Sequence, residues 1–350
     1  MNIRGRPCQC LALLLVATVA ASRGDAQPAD AAAMHAGSFV MRPDEQLEVA
    51  LGDAASRRSA LALADQLVAI LRRTPALASP VGYSTIVSRP AGSAPAGYDT
   101  GMPYHAAVVG ALSYFMTQRS ASGTATFTNN GGNLPFAIYA NMAACEERST
   151  IDTARPLDGG PPVMTGYRRT GEFRGHPVYN GSCVVIAGAG EPLEPVSTER
   201  YLRLAVLALR AKQASHRSRN RADAAGGDQR VAAVERMGDS LEAARIADVE
   251  AQIAAMSPAV RRRQAAVFNE GQLMPSDVDD ADAFPLVQPN SSFFKADRPA
   301  GRATLIVVVL PGLQPEIAPP HDEMNDQRLR DVARIVAQLD WAALEAMVRP

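Results

Sequence analysis

A long stretch of helical character, residues 197–268, divides the chain and constrains its fold more than any other feature. Ser197 is of a residue type that caps helix N-termini, and Glu199 places a negative charge in the first turn. The apolar residues that follow cover a surface wider than a single stripe, which predicts a largely buried helix. These residues are Tyr201, Leu202, Leu204, Val206, Leu207 and Leu209.

A second helix is predicted after a polar run that begins at Ser215 and ends at Gly227. Its apolar residues recur at close to heptad spacing, which is typical of a helix that packs along one seam. They are Val231, Val234, Leu241, Ile246, Val249, Ile253 and Met256. Ser257 and Pro258 then end this helix and start a new one. The stretch therefore predicts a helical hairpin with a polar tip and an apolar seam longer than a compact domain needs.

The N-terminus has the pattern of a secretory signal peptide over residues 1–26. Arg4 and Arg6 precede an apolar core at 11–21, and small residues lead to a cleavage site near Ala26. The core is about half as long as a membrane span, so we predict cleavage and no transmembrane anchor. The excess of arginine over lysine and the abundant alanine are typical of a GC-rich bacterial genome. We expect a periplasmic or secreted bacterial protein.

Two cysteines, Cys145 and Cys183, remain after removal of the signal peptide. In an oxidising compartment two such residues predict a disulfide bond. Neither cysteine stands in a C-x-x-C motif or in a recognisable nucleophile context, which disfavours a pair of reactive thiols. The formal net charge is −1 over 350 residues, so the chain has no electrostatic footprint for nucleic acid.

The part of the chain before the hairpin is predicted to be mostly strands. Residues 27–42 are rich in alanine and are expected to be a disordered tail. Residues 43–196 are expected to contain one helix at 56–73 and then a β-rich region. The predicted strands lie at 81–87, 104–117, 122–128, 134–140, 163–170 and 178–186, and the last two are expected to pair with each other around 171–177. The polar run from Asn129 to Asn133, with two central glycines, predicts a hairpin turn between the third and fourth of these strands.

Residues 269–350 follow the hairpin and are expected to form one domain with 43–196. An acidic, proline-flanked segment at 275–289 is predicted to be a linker or a surface loop. A β-branched run at 304–310 predicts a buried strand, and one or two helices follow it at 319–348. The whole pattern predicts an α+β fold with a mostly antiparallel meander sheet, flanking helices, the long hairpin, and a C-terminal strand and helix.

Catalytic and cofactor motifs with fixed spacing do not occur in the sequence. Neither Lys212 nor Lys295 follows a glycine, which excludes a P-loop. No two histidines lie one helical turn apart, and there is no G-x-S-x-G nucleophile elbow. The acidic run from Asp277 to Asp282 lacks the glycine and the distal glutamate of a calcium loop. We therefore predict no cofactor and no metal site, and we assign no catalytic residue.

Arginine clusters form two candidate surfaces for anionic partners such as phospholipid head groups. One cluster is at the hairpin tip, where Arg217, Arg219 and Arg221 alternate with small polar residues. The other, at 261–263, follows Ser257. Acidic neighbours partly neutralise the tip cluster, so we favour solvated surfaces over a lipid-binding site.

Histidines and aromatic residues support two alternative functions. An envelope hydrolase would assemble a dispersed site from His105, His176 or His321 and loop carboxylates. A carrier would hold a small apolar ligand on the aromatic residues of the meander at 81–186, although such residues more often belong to a core. Those aromatic residues are Tyr83, Phe115, Phe127, Phe136 and Tyr139.

The absence of catalytic motifs and the long apolar seam together favour a binding protein over an enzyme. We expect an exported, disulfide-bearing protein that acts without catalytic residues. Its hairpin, residues 197–268, is expected to engage a protein partner or a second copy of the chain.

Overall fold

The computed structural model describes most of the chain after residue 31. The described residues are 32–42, 54–89, 91–92, 105–119, 125–128, 131–142, 145, 157–165, 167–188, 190–224, 229–268, 272–280, 282–294, 302–314 and 326–348. The predicted signal peptide, residues 1–26, lies outside them.

Strands dominate the first half of the described chain, and helices dominate the second half. In the first half the elements are β1 (Phe39–Met41), α1 (Ala54–Arg73), α2 (Pro75–Ala78), β2 (Tyr83–Ser88), β3 (Ala91–Gly92), β4 (His105–Tyr114), β5 (Met116–Arg119), β6 (Ala125–Thr128), β7 (Asn133–Ala140), β8 (Arg169–Phe173), β9 (His176–Tyr179), β10 (Cys183–Ala187) and β11 (Leu193–Pro195). In the second half they are α3 (Thr198–Ala224), α4 (Gln229–Ala255), α5 (Pro258–Arg262), β12 (Ala266–Val267), β13 (Phe284–Pro285), β14 (Val287–Pro289), α6 (Ser291–Phe294), β15 (Leu305–Val309), α7 (Asp326–Gln338) and α8 (Trp341–Val348).

The main sheet has the strand order β1-β2-β4-β7-β15-β10-β9-β8, with β3 also paired to β4. Its described pairs are antiparallel except for β1 with β2. The predicted α+β class with a mostly antiparallel sheet is therefore confirmed. β15 is the predicted C-terminal strand, and it lies in the middle of the sheet. Its residues Leu305, Ile306, Val307 and Val308 are all buried, which explains why it reads as a continuous apolar run.

Helices α1, α7 and α8 cover one face of the sheet. Helix α1, predicted at 56–73, buries Leu63, Leu67, Ile70 and Leu71 in this layer. The two predicted C-terminal helices are also present, and the Asp340 side chain accepts a hydrogen bond from Ala343 N at 3.0 Å at the start of α8. Apolar periodicity thus placed the helices of this layer correctly, because one face of each packs on the sheet.

The structure has two further apolar clusters, of which the first lies on the other face of the sheet and the second contains no residue of the main sheet. The first surrounds the disulfide and includes Met164, Val185 and Val307. The second lies under the helical hairpin and includes Val163, Leu202, Val249 and Leu286. Val163 and Met164 are chain neighbours that belong to different clusters, as are Leu286 and Val287. These short extended segments, with β11, β13 and β14, therefore connect the sheet to the base of the hairpin.

The predicted hairpin turn at Asn129 to Asn133 is wrong. β6 pairs with β5, and β7 pairs with β4, so the described strands before and after this run belong to one arm of a long ribbon. Gly131 and Gly132 form an irregularity in that arm, where the Tyr114 N–H donates to Gly132 O and Gly131 N–H donates to Tyr114 O. Glycine at positive φ serves a bulge as well as a turn, so the residue types alone did not distinguish the two.

The predicted pairing of 163–170 with 178–186 is also wrong in detail. The structure has a three-stranded meander, β8-β9-β10, in place of one hairpin. Arg174 and Gly175 turn the chain between β8 and β9, with φ of 54° and 81°. Asn180 and Gly181 turn it between β9 and β10, with φ of 52° and 65°. An Asn-Gly pair is a strong turn signal, and it lies inside the strand that the sequence predicted.

Two segments predicted to lack structure contain strands. The predicted disordered tail at 27–42 is wrong for its described part, because β1 pairs in parallel with β2. Gly37 N also donates to Pro80 O at 2.8 Å. The predicted linker at 275–289 contains β13 and β14, which pair with β12 and β11. The strands in these segments are only two or three residues long, which is too short for an alternating apolar pattern to identify them.

Candidate functional site

The helical hairpin predicted at 197–268 is present as α3 and α4, which pack against each other. Each helix has 27 residues and is about 40 Å long. Ser197 caps α3 as predicted, because its Oγ accepts a hydrogen bond from Arg200 N at 3.2 Å. Ser257 caps α5 in the same way, with Pro258 in the first turn. Local capping chemistry therefore fixes where the hairpin begins and where it ends.

The half of the hairpin nearest the sheet has an apolar seam. Leu202 and Val206 of α3 pack with Ile246 and Val249 of α4, and all four are buried. Tyr201 also belongs to this cluster, and its hydroxyl donates to Gln272 O. Burial raises the pKa of Tyr201 to about 12, so this hydroxyl keeps its proton at neutral pH. This half anchors the hairpin to the rest of the protein.

The distal half of the hairpin has a charged seam. Lys212 Nζ lies 3.3 Å from Glu242 Oε1, and Arg217 Nε lies 3.0 Å from Asp239 Oδ2. The Glu242 side chain is only 9% exposed, and its Oε2 has no hydrogen-bond partner among the described residues. An ion pair with a buried carboxylate contributes little to stability, because desolvation of the carboxylate offsets the attraction between the charges. The two helices are therefore held together mainly at their base.

Three large apolar side chains of α4 point away from this charged seam. Val234, Met237 and Leu241 are 73%, 67% and 56% exposed. Their spacing of three and four residues places them on one helix face, which we call the distal stripe. The sequence prediction of the seam is therefore right from Ile246 to Met256 and wrong for Val234 and Leu241. The side chain of Val231 lies outside the described residues.

Val234 and Leu241 lie outside the seam because the apolar pattern contains a step of five residues. Successive residues of an α-helix are about 100° apart, so the step from Leu241 to Ile246 turns the pattern by about 140°. Asp239 and Glu242 occupy the seam positions that continue from Ile246 toward the tip. The step is visible in the sequence, and Met237 could have been added to the outward face from the same spacing.

A cleft of about 830 Å³ lies at the base of the hairpin. The Asp158 carboxylate lies opposite α3, where its Oδ2 accepts a hydrogen bond from Arg200 Nε at 3.1 Å. Burial opposes ionisation of Asp158, but the hydrogen bonds from Arg200 and Gly160 outweigh burial and lower the pKa of this carboxyl. Arg203 pairs with Glu199, and Arg210 pairs with Glu250. The charges lining the cleft are thus balanced, and its floor of Val206, Leu207 and Ile253 is apolar.

The predicted disulfide is present between Cys145 and Cys183, whose Cα atoms are 5.5 Å apart. Both cysteines are buried in the cluster on the second face of the sheet. Tyr167 Oη accepts a hydrogen bond from Cys145 N at 3.1 Å, which further fixes this segment. The surroundings are those of a structural disulfide and not of a reactive thiol pair.

The structure does not assemble the three candidate histidines into one described site. His176 Nε2 lies 3.4 Å from Glu345 Oε1, and Arg174 Nε lies 3.6 Å from the same oxygen. This contact joins β9 to α8. His105 begins β4, but its side chain is outside the described residues, and so is all of His321. A hydrolase site at these histidines stays a prediction.

The five aromatic residues considered for an apolar carrier are distributed over separate parts of the molecule. Tyr83 and Phe136 are buried in the core under α1 and α7. Tyr139 packs on the opposite face of the sheet. Phe115 and Phe127 instead contact His35, with ring centroids 4.6 Å and 4.3 Å away. These residues therefore do not line one shared ligand cavity.

Several residues of the charged clusters considered for phospholipids and calcium make contacts within the chain. Arg261 donates hydrogen bonds to Met256 O and Ala254 O at the end of α4, each at 3.1 Å. Arg263 pairs with Asp277 and Asp279, both at 2.6 Å. In the described part of the chain, no group of three or more metal-ligating side chains converges. The side chains of Arg219 and Arg221 lie outside that part.

The hairpin, with its distal stripe and its base cleft, is the candidate functional site of the protein. Across the described ranges, the helices are too short or too polar to span a membrane. No protein-family model, curated protein or solved structure matches the chain.

Proposed function

We propose that this chain is an exported, non-catalytic binding protein of the bacterial envelope that engages a protein partner through the distal half of its helical hairpin. The observation that carries the proposal is the distal stripe of Val234, Met237 and Leu241, exposed on an arm about 40 Å long. The signal-peptide pattern at 1–26 and the buried disulfide support export to an oxidising compartment.

The distal stripe is unusual because its three exposed apolar side chains are neighbours on one helix face. Single exposed apolar residues are common on protein surfaces, but three that share one helix face form a continuous apolar strip. Full burial of side chains of this size contributes about 1.5–3 kcal/mol each. The hairpin does not use them for its own cohesion, because its distal seam consists of ion pairs. The strip is therefore available to an apolar surface of another protein.

The test is affinity capture from the native cell envelope with mature protein carrying Met237→Glu and Leu241→Glu. Both positions are exposed, so we expect the double variant to keep the fold and thermal stability of the wild type. A partner identified by mass spectrometry should then be purified and titrated against both proteins. We expect the double variant to bind it at least tenfold more weakly, because two charges would be buried without partners.

The matched control is Val260→Glu, which places the same charge on α5 at the base of the hairpin. Val260 is also an exposed apolar residue, but it lies outside the distal stripe. This variant should bind the partner as tightly as the wild type. Equal binding by all three proteins, or equal loss in the control, would show that the distal stripe is not the interface.

The hydrolase alternative is tested with the same preparation. If the wild type hydrolyses an envelope substrate and the single variants His105→Ala, His176→Ala or His321→Ala lose that turnover, the protein is an enzyme and the non-catalytic proposal is wrong. Ligand retained after gentle extraction, detected by mass spectrometry, would likewise support the carrier alternative.

A further inference from the structure

A second charged groove lies far from the hairpin in sequence, where the edge of the main sheet meets α1. β1 and β2 run parallel, with Met41 opposite Val87, so their C-terminal ends reach the same edge of the sheet. Arg42 and Arg89 follow these two strands directly. Arg42 N donates to Val87 O at 2.8 Å, which fixes the chain at this point. The topology therefore brings two arginines from distant parts of the sequence together.

Helix α1 supplies the opposite wall of this groove. Asp65, Val68, Ala69 and Arg72 are spaced three and four residues apart and lie on one helix face. With Met41, Arg42 and Arg89 they enclose about 660 Å³, a volume that suits a small ligand. We call this site the arginine groove. Part of its lining is apolar, because Met41, Val68 and Ala69 line it together with the charged residues.

The described residues that line the arginine groove carry an excess of positive charge. They supply three guanidinium groups and one carboxylate, Asp65, which pairs with Arg89. Arg72 lies over the Phe39 ring, with its Cζ 5.5 Å from the ring centroid. No described carboxylate lies within ion-pair distance of Arg42 or Arg72. In the base cleft of the hairpin, by contrast, each arginine pairs with a carboxylate.

We propose that the arginine groove binds a small ligand that carries a phosphate monoester and an apolar portion. A phosphate monoester has close to two negative charges at neutral pH, which matches Arg42 and Arg72, the two guanidinium groups for which no described carboxylate is a partner. Guanidinium groups bind phosphate oxygens through pairs of N–H donors, and stacking on Phe39 leaves the in-plane donors of Arg72 available. The apolar portion lies on Met41 and Val68.

The direct test is isothermal titration calorimetry of the mature protein with hexyl phosphate. We expect saturable binding of one molecule per chain, and at least tenfold weaker binding of inorganic phosphate, which lacks the apolar portion. The double variant Arg42→Gln, Arg72→Gln should bind hexyl phosphate at least tenfold more weakly. Asp65→Asn should bind it more tightly, because the substitution removes the negative charge that opposes a phosphate in the groove.

Arg73→Gln is the matched control, because Arg73 neighbours Arg72 but pairs with Asp340, at 3.6 Å, outside the groove. It should bind hexyl phosphate like the wild type, and circular dichroism should show all variants folded. The proposal is overturned if the wild type shows no saturable binding, if the double variant binds unchanged, or if the control weakens equally. If the double variant does not fold, Arg42→Gln and Arg72→Gln are tested singly, and each should bind hexyl phosphate more weakly than the wild type, while Asp65→Asn should bind it more tightly.

Vesicles distinguish the two sources of such a phosphate. Co-sedimentation with phosphatidylcholine vesicles that contain phosphatidic acid, lost in Arg42→Gln, Arg72→Gln, would identify a lipid head group. Binding of hexyl phosphate without co-sedimentation would identify a soluble phosphate ester. Vesicle binding that the double variant retains in full would exclude the arginine groove as the lipid site.

Discussion

Asn141 shows how one side chain can join two strands that are distant in sequence. It follows β7, has a φ of 62°, and is only 2% exposed. Its Oδ1 accepts hydrogen bonds from Thr304 N at 2.7 Å and from Thr304 Oγ1 at 3.2 Å. Its N–H donates to Leu305 O at 2.8 Å. Asn141 therefore connects the end of β7 to the start of β15 with buried polar contacts.

We predict that Asn141→Ala lowers the free energy of unfolding by about 3 kcal/mol. The substitution leaves the N–H and hydroxyl of Thr304 buried without their acceptor, and it places a Cβ-bearing residue with no compensating side chain at positive φ. Asn141→Gly should cost about 1 kcal/mol less, because glycine adopts this conformation without strain. Urea unfolding of the three proteins measures both differences. A glycine variant less stable than the alanine variant would contradict the role of the backbone conformation.

Residues whose role depends on their chain neighbours were predictable, and residues that act over long distances were not. Ser197, Ser257 and Pro258 are recognised because helix capping depends on a few adjacent residues. Asn141 and Thr304 are 163 positions apart, so no local pattern relates them. The same holds for Arg42 and Arg72, which only the pairing of β1 and the packing of α1 bring into one groove.

The hairpin is the element in which sequence periodicity and structure agree at one end and diverge at the other. From Ile246 to Met256 the apolar pattern and the buried seam coincide, because the same side chains face α3. Beyond Leu241, toward the tip, the pattern turns outward and charged residues enter the seam. The apolar periodicity therefore predicted the hairpin correctly, but it placed Val234 and Leu241 in the interior seam when they lie on the outer surface.

We predict that Glu242→Leu raises the free energy of unfolding by about 1 kcal/mol. A leucine would extend the apolar seam that ends at Ile246, and it would remove a buried carboxylate with one unpaired oxygen. Lys212 would remain solvated, because its side chain is 57% exposed. Thermal unfolding followed by circular dichroism measures the change.

Glu250→Leu is the control for this prediction, because Glu250 also pairs with a basic residue of α3 but is 46% exposed. We expect its effect to stay within about 0.5 kcal/mol, as for most exposed ion pairs. A destabilised Glu242→Leu protein would mean that the Lys212–Glu242 pair is a net contributor to the stability of the hairpin.

At the scale of the whole molecule, the disulfide closes a loop of 38 residues that contains the β8-β9 hairpin. We predict that Cys145→Ser, Cys183→Ser lowers the free energy of unfolding by about 4 kcal/mol, mainly because the unfolded chain regains conformational entropy. Urea unfolding of the wild type and the double variant measures this loss. A loss below about 1 kcal/mol would show that the loop is already restricted in the unfolded state.

The fold class was predictable from the sequence, but the strand order was not. Alternating and continuous apolar runs identify strands, and amphipathic runs identify α1, α7 and α8. The pairing of β15 between β7 and β10 has no local signal, because it depends on which edges remain open after the earlier strands have paired. The irregularity at Gly131 and Gly132 was misassigned as a turn for a related reason, since the pairing of the flanking strands decides whether the chain reverses at these glycines.

The central place of β15 also determines when the sheet can be completed as the chain emerges from a ribosome or a translocation channel. β7 and β10 flank β15, and both precede it by more than a hundred residues of sequence. Until residue 309 has emerged, the two halves of the sheet have no strand to join them through backbone hydrogen bonds. Cys145 and Cys183 have emerged long before that point, one after β7 and the other within β10. A disulfide bond between these cysteines would therefore hold the two halves of the sheet together before β15 has emerged.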